Sequence, residues 1–143
     1  MVSVDTLKKL DLFVGLMDLE LEAISEISEI AEYPRGTVIF KEGDEAASLY
    51  VLIEGNVALN FEVGRNREVI VHSVGYGQAF GWSALVQPYL FTASARCTNN
   101  SRVLTIDRKR LRKLFELDCH MGFVIMEKLA GLVSNRLRIH GCS

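Results

Sequence analysis

Few residues in this chain have both the type and the spacing for covalent chemistry. His72 stands between Val71 and Ser73 in a stretch of strand-forming composition. A lone imidazole with no second ligand at a mechanistic spacing reads as structural rather than metal-binding. Cys97, Cys119 and Cys142 are odd in number and separated by 22 and 23 residues. That spacing fits neither a disulfide framework nor a zinc or iron–sulfur ligand set, and it suits reduced thiols. No Ser/His/Asp set, phosphate-binding glycine loop or metal-ligand pair occurs at a mechanistic spacing in the sequence. The expectation is a non-enzyme with neither metal nor cofactor. Ser83 and Thr92 carry hydroxyls, and Trp82 and Phe91 carry aromatic rings, within one short stretch of the chain.

Elements that could position this group are legible along the chain. Leu7, Leu10 and Phe13 predict a short helical piece ending near Gly15. Asp18 as N-cap, with Glu20 and Glu22 near the positive end of the helix dipole, opens a second helix. Its apolar stripe of Leu21, Ile24, Ile27 and Ile30 predicts helix to residue 31. From Glu32 the pattern changes to short strands divided by turns. Thr37–Phe40, Leu49–Ile53, Val57–Val63, Glu68–Val74, Thr92–Cys97 and Arg102–Ile106 read as strands, within a total of about eight. Gly36, Gly43, Gly55 and the Gly64–Arg67 hairpin tip mark the turns between them. Asp107 caps a helix through Leu111, Leu114 and Phe115, and Met121 to Ile139 forms a long amphipathic helix. The order implies an α+β fold: an antiparallel β-roll of jelly-roll type, flanked by N-terminal helices and two C-terminal helices.

A chain of 143 residues suits one domain. We divide it into a helical lead-in at 1–31, a β-roll at 32–106 containing residues 80–95, and C-terminal helices at 107–143. Apolar residues make up 49% and charged residues 24%, a globular balance. The net charge of −2 argues against a nucleic-acid surface. No apolar run reaches membrane-spanning length and no signal-peptide layout opens the chain, so a cytoplasmic location is expected.

Phe80 to Ala95 reads F-G-W-S-A-L-V-Q-P-Y-L-F-T-A-S-A. It resembles the phosphate-binding cassette of the cyclic-nucleotide-binding domain family, whose pattern is roughly F-G-E-x-A-L, a spacer, then R-[ST]-A. Gly36 to Asp44, Leu49 to Val57 and Asp107 to Phe115 are similar to that family's first strands, signature hairpin and closing helices, in the same order. The resemblance implies a sensor module of the catabolite-activator type: ligand enters the roll, and the C-terminal helices repack over it. It implies a bacterial signal-transduction role with no direct DNA reading by this chain. It also implies a ligand pocket of Phe80, Gly81, Trp82, Ser83, Ala84, Leu85, Phe91, Thr92 and Ala93, with Ser134 reaching over from the last helix. The cassette's short helix would open with N–H groups that favour an anion.

The two charged contacts of the family pattern are replaced. Trp82 stands at the ribose-binding Glu and Phe91 at the phosphate-binding Arg. An indole can only donate where a carboxylate accepts, and a phenyl ring has no donors. Loss of both contacts implies about 3–6 kcal/mol, a weakening of roughly a hundred- to ten-thousand-fold. Arg96 falls on the opposite strand face from Phe91 and does not replace the lost cation. Two readings of the aromatic pair stay open. Either the pocket takes an apolar or aromatic small molecule, or the rings fill it and the fold serves as a ligand-free interaction module; a weakened cyclic AMP or cyclic GMP site is the third alternative. Ile125, Leu129, Leu132, Arg136 and Ile139 follow coiled-coil steps and imply a homodimer seam, in which Arg136 is out of place.

Overall fold

The computed structural model describes the backbone of residues 2–62 and 68–139. The hairpin tip expected at Gly64–Arg67 and Cys142 lie outside the described residues. The chain opens with α1 (Val4–Lys8), a 3₁₀ turn (Asp11–Phe13) and α2 (Asp18–Ile27). Strands β1 (Ser28–Tyr33), β2 (Val38–Phe40), β3 (Ser48–Glu54), β4 (Val57–Glu62), β5 (Glu68–Val74) and β6 (Ala79–Phe80) follow. A second 3₁₀ turn (Trp82–Leu85) precedes β7 (Ser94–Cys97), β8 (Ser101–Asp107), α3 (Arg108–Leu117) and α4 (Cys119–Ile139). The strands form two four-stranded antiparallel sheets, ordered β1-β8-β3-β6 and β2-β7-β4-β5. The α+β roll flanked by helices is therefore the observed architecture.

The helical lead-in ends earlier than its apolar spacing implies. Residues 28–31 are strand, and β1 pairs antiparallel with β8 from Ser28↔Ile106 to Tyr33↔Ser101. Ile27 and Ile30 keep a three-residue step, but the unpaired edge of β8 wins over helix continuation. The start of α2 also differs by one residue. Met17 is the N-cap, and its N–H donates to Glu20 Oε1 at 2.9 Å. Asp107 caps α3 as expected, its carboxylate accepting from Arg110 N–H at 3.0 Å.

Period-2 alternation divides the interior in two. Leu49 and Val51 of β3, with Leu104 and Ile106 of β8, face an outer core shared with Leu7, Leu10, Phe13, Leu21, Ile24, Leu111, Met121, Ile125 and Leu129. Leu52 and Val103, from the same two strands, face an inner core with Phe40, Val57, Leu59, Phe80, Phe91 and Ala95. The helices thus cover one face of the β1-β8-β3-β6 sheet, while the other face closes the roll. Gly55 makes the β3–β4 turn at φ 104°, against Ser101 and the Asn100 carbonyl; a Cβ there would stand 2.3 Å from Ser101 Oγ.

Candidate functional site

The cassette starts where β6 ends. Tyr50↔Phe80 pairing fixes β6 on β3. Gly81, in the left-handed region at φ 72°, then turns the chain into the 3₁₀ segment Trp82–Leu85. A Cβ on Gly81 would lie 2.8 Å from the Tyr50 ring and 3.3 Å from both Phe40 and Phe91. The turn is pressed directly onto aromatic rings. Phe91 stacks on Phe40 with centroids 3.7 Å apart and planes 11° from parallel. Phe40 in turn meets Tyr50 at 5.6 Å and Phe80 at 6.1 Å, and Tyr50 meets Phe80 at 5.3 Å. Four rings fill the roll beneath the cassette, and Phe91 is only 5% exposed. Burial pushes the Tyr50 hydroxyl above its ordinary 10.0, with Tyr33 adding to the rise, so it stays a neutral phenol.

The cavity left is about 40 Å³, lined by Phe40, Leu59, Gly81, Trp82, Ser83, Phe91, Thr92 and Ala93. Gly81, Trp82, Ser83, Phe91, Thr92 and Ala93 are brought together here. Phe80 and Ala84 lie behind them as buried inner-core residues. Leu85 is partly buried toward the outer core. Ser134 is exposed on α4 and is not among the lining residues. Phe40, Tyr50 and Leu59 were missed as neighbours of the cassette. Their inward parity on β2, β3 and β4 was the available signal, but pairing across sheets cannot be read from one strand. The four-residue turn sums few peptide dipoles, and no Lys or Arg lines the cavity.

Two arginines and an aromatic ring tie the cassette loop to α3. Tyr89, at φ 61° beside a cis Gln87–Pro88 bond, lies under Arg108 at 4.5 Å and Arg112 at 5.5 Å. Arg112 also donates to the Tyr89 hydroxyl. A third contact reaches α4: the Arg136 guanidinium stands 4.4 Å over the Trp82 ring. Burial pushes Arg136 down to about 10, still charged at neutral pH. The residue that breaks the apolar stripe of α4 is thus the one that caps the cassette. Ile125 and Leu129 are buried in the chain's own outer core and Leu132 packs against it, so this stripe does not form an open seam. Ile139 falls outside the residues whose side chains are described. The exposed face of α4 carries Phe123 and Met126 instead.

A cluster of titratable groups lies apart from the cassette. Glu20 of α2 is 3% exposed, and its carboxylate accepts from His120 Nδ1 at 3.0 Å. Asp118, in the α3–α4 junction, accepts the Met121 N–H at 3.2 Å. The hydrogen bond to Glu20 raises the His120 imidazole above its ordinary 6.5; Glu20 also holds the Asp118 carboxyl below 3.8. Sequence spacing gave no sign of this cluster, since Glu20 and His120 are 100 residues apart. His72 meets Gln78 Oε1 at 3.4 Å. Cys97 is buried, which raises its thiol above 9.0, and Cys119 is exposed; both are free.

Residues 30–118 match the family model of the cyclic nucleotide-binding domain. The chain is similar to a CRP-like cAMP-activated global transcriptional regulator of Mycobacterium tuberculosis (strain CDC 1551 / Oshkosh). The two are 27% identical over 108 residues, 76% of this chain and 48% of the regulator; the chain therefore spans about half that protein's length. Among solved structures it is similar to a Geobacter metallireducens GS-15 protein named for cyclic nucleotide binding. That match has a TM-score of 0.85 and 39% identity, covering 96% of this chain and 99% of the other. The Thermus thermophilus catabolite activator protein matches with a TM-score of 0.76 and 27% identity, over 91% of this chain and 59% of that one. Among the described residues, no helix is long and apolar enough to cross a membrane.

Proposed function

The chain belongs to the cyclic nucleotide-binding domain family, and on that premise we propose that it is a regulatory module, not an enzyme, whose ring stack stands in for the ligand. The carrying observation is Phe91 on Phe40 at 3.7 Å, above a residual cavity of about 40 Å³. In the family pattern an Arg at this position clamps phosphate with paired charge-assisted bonds. Here the same position contributes a ring to the roll interior. Cyclic nucleotide binding is weakened or lost, because the charge partner is absent and the volume is taken. α4 is held over the cassette by Arg136 on Trp82, a contact that needs no bound nucleotide.

The output of such a module is the pose and outer surface of α3 and α4. Phe123 is 66% exposed and Met126 38% exposed on α4. These two residues favour self-association through the outer face of α4, a homodimer in which the covered stripe of Ile125 and Leu129 takes no part. Isothermal titration of the purified chain with cyclic AMP and with cyclic GMP tests the reading. The expected result is no binding tighter than about 1 mM. Micromolar binding of either would overturn the filled-cassette reading.

A further inference from the structure

Glu20 is a buried carboxylate with no Lys or Arg beside it. Its side chain is 3% exposed. Among the described residues its one ion-pair partner is His120, which is 51% exposed and charged only when protonated. A second carboxyl, that of Asp118, stands within hydrogen-bonding reach of Glu20. Among the described residues no Lys or Arg pairs with Asp118 either. With His120 neutral, the cluster holds two negative charges and no positive one. A buried carboxylate is costly unless a cation neutralises it.

Backbone groups hold the donors in place. Glu20 Oε1 accepts from Met17 N–H at 2.9 Å, and Asp118 Oδ1 accepts from Met121 N–H at 3.2 Å. These bonds cap α2 and α4 and engage one oxygen of each carboxylate. Such outer hydrogen bonds are what orient the ligands of a metal ion. Glu20 Oε2 then meets His120 Nδ1 at 3.0 Å, and one donor atom from each of the three residues lies within 4.8 Å of the others. Zinc takes nitrogen and oxygen donors at about 2.0–2.2 Å, so donors on one tetrahedral ion stand about 3.3–3.6 Å apart. The Glu20–His120 pair is already near that spacing. Asp118 is half-buried and His120 exposed, so both have room to close the remaining sides.

The donor set fixes the class of ion. One imidazole nitrogen with two carboxylate oxygens suits zinc and its transition-metal neighbours, whereas magnesium and calcium take oxygen donors. Cys119 is exposed, and its sulfur is not one of the three converging donors. The N-terminal ends of α2 and α4 carry partial positive charge, which moderates the affinity for a cation.

We propose that Glu20, Asp118 and His120 form a binding site for one divalent transition-metal ion of the zinc class. His120 Nδ1 gives up its proton to solvent on binding. The ion thereby takes over the bridge to Glu20 that the imidazolium makes in the metal-free chain. Glu20 belongs to α2 and the other two residues to the α3–α4 junction, so the ion pins that junction to the helical lead-in. The site lies apart from the cassette, and the proposal holds whether or not the cassette takes a nucleotide.

The full chain is stripped with a chelator, desalted and titrated calorimetrically with zinc chloride, with magnesium and calcium chlorides as comparisons. The expected result is one zinc per chain with Kd at or below about 100 µM, and binding of magnesium and calcium at least about tenfold weaker. Asp118→Asn keeps the capping oxygen, and His120→Ala changes an exposed position. Each should weaken zinc binding about tenfold or more, with the circular dichroism of the fold retained. Glu20 is left intact because it caps α2. Cys119→Ser, and His140→Gln with Cys142→Ser, remove rival donors and should leave zinc binding unchanged. One equivalent of cobalt(II) on the unaltered chain should give no thiolate charge-transfer band. The rival-donor variants and the cobalt spectrum keep the test decisive if a ligand variant fails to fold. The proposal is overturned by zinc binding weaker than about 100 µM, or by undiminished binding when Asp118→Asn and His120→Ala are combined. It is equally overturned by weakened binding in either rival-donor variant, by a thiolate band, or by magnesium or calcium matching zinc.

Discussion

Arg136 lies 4.4 Å over the ring of Trp82, 54 positions away, and the pair joins the last helix to the cassette. A cation over an indole face is worth about 0.5–2 kcal/mol, depending on desolvation. Trp82→Leu keeps an apolar side chain and removes the π-face. Urea unfolding should show a loss of about 1–2 kcal/mol. Proteolysis should cut α4 sooner than in the parent chain; an unchanged cleavage rate would mean that the helix is held by its outer-core leucines alone.

The ring stack sets a second expectation. Restoring the family pair, Trp82→Glu with Phe91→Arg, supplies charge but leaves Phe40 inside the roll. Adding Phe40→Val should raise cyclic AMP affinity further, by about tenfold or more, as the space beside the new arginine opens. Calorimetry on the double and triple variants decides it. Equal affinities would show that Phe40 does not limit the pocket.

Gly81 needs its missing Cβ. At φ 72° a side chain is strained, and alanine would meet the Tyr50 ring at 2.8 Å. Gly81→Ala should cost about 1–3 kcal/mol in denaturant unfolding, with little change in slope. A neutral effect would place the rings more loosely than the stacking distances indicate.

The Glu20–His120 contact makes stability pH-dependent. The folded-state pKa of His120 is raised above 6.5, chiefly by its hydrogen bond to Glu20. The folded state therefore binds the proton more tightly than the unfolded state. Its stabilising contribution is fully present below the unfolded value and is lost as pH rises through the raised folded value. Thermal midpoints should fall across the neutral range, and His120→Gln should flatten that slope. A slope unaffected by the substitution would assign it to other groups.

The outer face of α4 gives the last expectation. Phe123→Glu with Met126→Glu should reduce the mass seen by light scattering from that of the proposed dimer to that of a monomer without lowering the thermal midpoint, since both side chains are solvent-exposed. Ile125→Glu should instead unfold the chain, because Ile125 is fully buried.

The frame of the roll was legible because turn glycines and alternating strands repeat at short intervals, and because the cassette pattern is held in register. Three features were not. β1 has the burial of a half-covered edge strand, with no clean alternation, and Ile27 and Ile30 carry a helical step into it. β6 is two residues long, too short to show a period. Arg136 read as a flaw in a heptad stripe because its partner, Trp82, is distant in sequence. The aromatic content of the cassette was visible in Trp82 and Phe91. That Phe40 completes the stack required the pairing of β2 with β7, which no local pattern encodes.

The wall shared by β3 and β8 has adjacent residues facing opposite ways, Val103 inward and Leu104 outward. It acts as a bulkhead between two compartments. The inner one can be refitted with rings while the outer one keeps its leucines, since neither borrows the other's side chains. Two rivets cross from the cassette to the helical side, Trp82 to Arg136 and Tyr89 to Arg108 and Arg112. Both are aromatic–arginine contacts at the surface of the partition, so the cassette and the helices are joined at the rim rather than through the interior.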